Sequence, residues 1–229
     1  VAVQVSLLEG ISTSRCLALP GHCHGLRWYV LVRSPQQRVG TTPLVTCHFL
    51  IMAQAALILQ ELKRCKVTDV IGLPDNSSSA LLELLRQDHS IRLHSVTREG
   101  EAFALAAGLW VGGKHPLVLI QNTGLLESGD GLRGTLLRMR IPILCLVTYR
   151  GYAKTQGNSG SVPEKLNAEV LSRPELDSVA LMTEPTLNAW GLPFDFLHTD
   201  DHVSKIPRVL AKAEERSSPT VLLVTRDMT

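Results

Sequence analysis

The chain has 229 residues, 45% of them hydrophobic and 19% charged, enough to bury one proper core and ordinary for a globular protein. Its 23 Lys and Arg against 21 Asp and Glu leave a net charge of +2, with no dense basic cluster and few aromatics for base stacking, which argues against nucleic-acid binding. Five cysteines (Cys16, Cys23, Cys47, Cys65, Cys145), odd in number and without paired spacing, point to a reduced, cytoplasmic protein.

Residues 1–51 differ from the rest: they contain no Met, Lys or Asp, and Glu9 is their only acid. The first methionine, Met52, stands directly before the helical run "AQAALILQELKRC". The expectation is that the native protein starts at Met52 and that 1–51 is a poorly structured extension upstream of it. The apolar stretch Leu44 to Leu59 is shorter than the ~20 residues of a membrane span and holds His48 and Gln54, so no membrane segment is expected. Cys16, His22, Cys23 and His24 have no second pair at ligand spacing, so no metal is assigned to them.

From Met52 the pattern alternates between the helical and strand periods. A helix over 53–65 is followed by a β-rich run at 67–73, and Asn76 or Ser77 is placed to cap a helix through "SALLELLRQD". "SIRLHSV" (90–96) alternates as a strand, and "EGEAFALAAGLWVGG" is a helix stopped by Gly112-Gly113. "HPLVLIQN" (115–122) and "IPILCLVTY" (141–149) are apolar on both faces, as buried parallel strands are, with a helix near "GDGLRGTLLRM" between them. Beyond the turn-rich 150–165 come an irregular helical region, a helix over 184–190, a strand at "FDFLH", a helix over 203–216 and the strand "PTVLLVTRD". This order describes a doubly wound α/β fold, a mostly parallel sheet with helices on both faces. Ligands of such sheets gather at the carboxyl ends of the strands, so the informative loops are 74–79, 97–101, 121–130 and 149–160.

Three of those loops carry unusual content. "GLPDNSSS" follows a rigid Pro74 with small amide and hydroxyl groups. "TREGEA" sets Arg98, Glu99 and Glu101 at a helix start, and "QNTG" puts Gln121, Asn122 and Thr123 before a glycine that permits close backbone approach. Each has a plain structural explanation: helix caps, acids complementing a helix dipole, an amide turn. Their convergence on one edge of the sheet is what favours a site.

Taken together, "REGEAFALAAG", "VLIQNTGLLESGDGLRGTLL" and "IPILCLVTYRG" resemble the pyrimidine-binding (Pyr) domain of thiamine-diphosphate enzymes, specifically the α-type subunit of sulfopyruvate and phosphonopyruvate decarboxylases. The resemblance is spread over most of 52–229 and touches none of 1–51. It implies that Glu99 is catalytic and shares a proton with N1′ of the cofactor's aminopyrimidine, and that Pro74, Asn76, Gln121, Asn122, Thr123 and Gly124 bind the cofactor. It further implies that Asp75, Ser77, Arg98 and Arg150 face a small 2-oxoacid, the arginines being suited to an acidic group at its far end. Glu101 matches no family role and reads as a helix-face or interface residue. Leu126 and Glu127 replace the family's usual Gly-Asn, a departure that bears on the substrate. Gly129-Asp130-Gly131 and Asn158 imitate the metal signature of these enzymes, yet neither lies at a strand end, so no metal is expected on this chain. Mg²⁺ and the diphosphate then belong to a partner, a PP-domain β subunit in a heterotetramer, and the chain alone is expected to be inactive. A non-catalytic Pyr-like scaffold and a general α/β small-molecule binder are the alternatives.

Overall fold

The computed structural model describes residues 46–157 and 165–228. Six strands, β1 (Asp69–Gly72), β2 (Arg92–Ser95), β3 (Pro116–Gln121), β4 (Leu144–Thr148), β5 (Phe194–Leu197) and β6 (Thr220–Val224), form one sheet in the order β2-β1-β3-β4-β6-β5. Every neighbouring pair is parallel. β4 and β6 are buried throughout, and β3 at all but its last residue, which explains their unbroken apolar runs.

Alternation along those strands divides the core in two. Leu117, Leu119, Leu144, Leu146 and Leu222 face α1 (Thr46–Arg64), α2 (Ser79–Gln87) and α9 (Ile206–Arg216), where Ile58, Leu62, Leu81, Leu85 and Val209 fill the space. Val118, Ile120, Cys145, Val147 and Leu223 face the other way, towards Phe103 and Ala106 of α3 (Glu99–Val111) and Leu187 of α8 (Ser178–Ala189). Helices thus cover both faces, as the doubly wound reading requires.

The largest difference from expectation lies after β3. The segment 121–130, read as a loop, is helical: α4 (Asn122–Glu127) opens directly on the strand and continues through α5 (Gly129–Gly131) into a π turn over Leu132–Leu137. Its glycines serve helix packing rather than a turn. A Cβ on Gly131 would stand 3.0 Å from the carbonyl oxygen of Gly100 in α3. Two further elements begin earlier than expected. α1 starts at Thr46, ahead of 53, and α8 starts at Ser178, ahead of 184, with Asp177 accepting the Ala180 backbone N–H at 3.1 Å. Within 150–165, α6 (Tyr152–Gly157) occupies part of the turn-rich stretch, and α7 (Ala168–Leu171) follows it.

The extension before Thr46, with Cys16, His22, Cys23 and His24, lies outside the described residues, as does Asn158. No helix among the described residues is long and apolar enough to cross a membrane.

Candidate functional site

From β1 the chain turns outward to β2 through α2 on one face. It then returns past β1 to β3 and leaves that strand through α4 on the other face. The connections therefore part above β1 and β3, where a doubly wound sheet opens its crevice. The pairing Gly72↔Leu119 sets the loop after β1 beside the end of β3. A side chain on Gly72 would drive into the Leu119 carbonyl, so this register tolerates only glycine there.

In the first loop Asp75 organises the turn. Its Oδ1 accepts the backbone N–H groups of Ser77 (2.7 Å) and Ser78 (3.2 Å), and its Oδ2 accepts the hydroxyls of Ser78 (2.7 Å) and Thr148 (3.4 Å). The start of α2 is therefore held by Asp75 and not by the side chain of Asn76 or Ser77. Pro74 and Asn76 are exposed. Ser77 donates its hydroxyl to Asp227 at 2.6 Å, while its carbonyl accepts the Met228 N–H at 2.6 Å, so the segment after β6 closes against this loop.

Three acids meet at the start of α3, and the structure separates their surroundings. Glu101 folds back on its own helix end, its Oε2 accepting the Thr97 N–H (3.0 Å), the Thr97 hydroxyl (3.1 Å) and the Arg98 N–H (3.4 Å). Those bonds, led by the Thr97 amide, hold its carboxyl below the usual range. Glu101 is exposed and caps its own helix end. Glu127, the last residue of α4, takes the guanidinium of Arg98 through Nε at 3.2 Å and through Nη2, and this pairing lowers its carboxyl as well. Glu99 is half-buried, and among the described residues its carboxylate meets no hydrogen-bond donor. It lies flat against Gly124 of α4, where any Cβ would overlap its Cγ, Cδ and Oε1. The two sequence stretches singled out earlier, 97–101 and 121–124, therefore touch at Glu99 and Gly124.

The remaining residues of "QNTG" have distinct surroundings. Asn122 is fully buried: its Nδ2 donates to the Arg150 carbonyl (3.0 Å) and to the Thr183 hydroxyl of α8 (3.1 Å), and its Oδ1 accepts the Thr123 N–H (3.1 Å). Gln121, partly exposed, accepts the Thr123 hydroxyl at 3.2 Å. Arg150 follows β4 closely and is exposed. Beside it Gly151 has φ +84°, a left-handed turn in which a Cβ would also strike Ala180 and Asp177.

Sequence reading missed Thr148, Thr183 and Asp227, which are brought in only by the fold. It also missed Tyr149, whose hydroxyl donates to the Ala180 carbonyl (2.9 Å) and Glu184 (3.1 Å) and is pushed up by burial and by that carboxylate. Asp130 pairs locally with Arg133 at the surface, and no cluster of three or more metal-ligating side chains occurs among the described residues.

Residues 52–171, just over half the chain, match the family described as thiamine pyrophosphate enzyme, N-terminal TPP binding domain. A phosphonopyruvate decarboxylase of Streptomyces viridochromogenes is 37% identical over 100 residues, which cover 44% of this chain and 25% of that protein. A sulfopyruvate decarboxylase subunit alpha of Methanocaldococcus jannaschii is 30% identical over 105 residues, covering 46% of this chain and 62% of the relative. Its namesake in Methanococcus maripaludis is 30% identical over 137 residues, covering 60% and 72%. The chain thus spans a quarter of the length of the first relative and under two thirds of the second.

Proposed function

The chain belongs to the family of thiamine pyrophosphate enzyme N-terminal domains, and on that premise we propose that it is the α-type subunit of a thiamine-diphosphate-dependent 2-oxoacid decarboxylase of the sulfopyruvate or phosphonopyruvate kind. In this reading 52–229 is the Pyr-type domain. A PP-domain β subunit completes the site in a heterotetramer and holds Mg²⁺ with the diphosphate, so the isolated chain is inactive. The names of the relatives support the reaction class, and the "subunit alpha" of two of them supports the division between chains. Two free thiols among the described residues, Cys65 and Cys145, support a reducing, cytoplasmic setting.

The observation that carries the proposal is the state of Glu99. Of the three acids around the start of α3, it alone has its carboxylate uncommitted among the described residues, while Glu101 and Glu127 are both engaged. The glycine beside it lets that carboxylate lie flush against α4, which fixes where it sits. That donor set fits an aminopyrimidine, whose N1′ needs one carboxylate partner. Bound thiamine diphosphate supplies a carbon nucleophile for the 2-oxoacid carbonyl and a sink for the electrons released with carbon dioxide. Glu99 holds and returns the proton at N1′. Pro74, Asn76, Gln121, Thr123 and Gly124 would hold the ring, with Asn122 fixing the backbone of that loop through Arg150, Thr183 and Thr123. Asp75 and Ser77 shape the substrate mouth, where Arg98 and Arg150 are the cations at hand.

The test is purification of the tagged full chain from its own cells. A second polypeptide carrying thiamine diphosphate and Mg²⁺ is expected to accompany it. In that complex Glu99→Gln should leave assembly and melting unchanged and slow exchange of the cofactor's C2 proton, read by NMR, by about 100-fold or more. Wild-type exchange in the variant would remove Glu99 from its role. A chain that returns alone and takes up no cofactor would instead favour a non-catalytic Pyr-like scaffold.

A further inference from the structure

We infer that Arg150, and not Arg98, is the residue that binds the acidic group at the far end of the substrate; this rests on the proposed 2-oxoacid site. Sequence gives the two arginines equal standing, and their surroundings separate them.

Arg98 is already matched. It occupies the capping position of α3 with extended backbone, and its guanidinium engages Glu127 through Nε (3.2 Å) and Nη2. The match holds Glu127 in its charged form, its carboxyl below the ordinary range. A phosphonate or sulfonate reaching for Arg98 would arrive beside that carboxylate, and the repulsion between like charges at contact distance opposes what the guanidinium offers. Glu127 is also one of the two residues that depart from the family's usual Gly-Asn, so the partner that disqualifies Arg98 stands at a departure from that pattern. The pair ties α4 to the first turn of α3, which suits a clamp on the backbone that carries Glu99.

Arg150 has the opposite character. Its backbone is fixed: the carbonyl accepts Nδ2 of fully buried Asn122, and the next residue is locked in a left-handed turn packed against Asp177 and Ala180. Its side chain is exposed, and among the described residues no carboxylate lies within ion-pair reach of it. Gln121 at the end of β3 pairs with Thr148 at the end of β4, so Arg150 leaves the sheet beside the start of α4, whose Gly124 meets Glu99. A cation unmatched among the described residues therefore stands on a rigid mount at the strand end next to the helix that seats the uncommitted carboxylate. A guanidinium there recognises a sulfonate or phosphonate through paired N–H donors.

The experiment uses the full chain with whatever partner co-purifies, and reads binding rather than turnover. Calorimetry compares 3-sulfopropanoate, 3-phosphonopropanoate and propanoate, the first two telling sulfonate from phosphonate and the third lacking a distal acid. Arg150→Gln is expected to weaken the favoured diacid at least tenfold and to leave propanoate unchanged, with Arg150→Lys in between. Arg98→Gln is expected to weaken the diacid less than Arg150→Gln does, and to change diacid and propanoate by the same factor, as loss of a clamp and not of a contact would. Loss in Arg98→Gln with none in Arg150→Gln, or a diacid preference that neither variant moves, would overturn the inference. A catalytically dead complex that still shows the Arg150-dependent preference would sink the decarboxylase reading and leave this one standing.

Discussion

At Gly124 a single hydrogen stands where any other residue would carry a methyl group into the carboxylate of Glu99. Ala at this position must push the Glu99 side chain off its seat or pry α4 from α3, and the side chain is the softer of the two. Gly124→Ala is therefore expected to keep the fold and to weaken thiamine diphosphate binding in the assembled complex at least tenfold, measured by cofactor titration alongside a melting curve. Gly108, in the same helix as Glu99, supplies the contrast. Nothing lies within 4 Å of a Cβ built there. Glycine inside a helix costs ~0.5–1 kcal/mol relative to alanine, so Gly108→Ala should raise the melting temperature of the chain. If both alanines acted alike, helix propensity and not the approach of Glu99 would explain the first.

α3 and α4 show where sequence is legible and where it is not. The helix α3 was legible from its run and its Gly112-Gly113 stop, but its inward face, Ala102, Phe103, Ala106 and Ala107, was not, because apolar residues continue round to the exposed Leu105, Trp110 and Val111. The buried strands β3, β4 and β6 announce themselves as unbroken apolar runs because both their faces are covered. α4 was hidden by its glycine: Gly124 looks like a turn residue until α3 is seen pressing on it through Glu99, a tertiary fact with no local signature. The same holds for the site. Glu99 was legible from its motif, and Glu101 capping Thr97 four residues back was legible in principle. The Arg98–Glu127 and Asn122–Thr183 contacts span 29 and 61 residues, and no spacing rule reaches that far. Phe103 joins the two helices to the sheet with no exposed surface. Phe103→Ala is expected to cost about 3–5 kcal/mol in urea unfolding, and a loss under 1 kcal/mol would mean that α3 is not the packed element described.

Across the molecule the sheet has two ends with different chemistry. Its carboxyl end carries Glu99, Gly124 and Arg150; its amino end carries Asp69, the first residue of β1, fully buried. Burial alone would raise that carboxyl, but His94 Nε2 at 2.8 Å, the Thr68 hydroxyl at 2.7 Å and Arg92 at 3.4 Å outweigh it and hold the group below the ordinary carboxylate value. The unfolded chain therefore binds this proton more readily than the folded one. The stabilisation is complete above the unfolded value of about 4 and is lost as pH falls through the lower folded one. Asp69→Asn removes the charge while nearly preserving shape. It should lower stability near neutral pH by about 1–3 kcal/mol and flatten the decline below pH 4, seen as urea midpoints that converge with wild type on acidification. Because β1 separates this cluster from the carboxyl-end crevice, cofactor binding at pH 7 should be unaltered in the folded fraction. Parallel acid limbs in the two proteins would show that Asp69 does not set the acid sensitivity of the fold. A loss of cofactor binding without a loss of stability would mean that the two ends of the sheet are coupled.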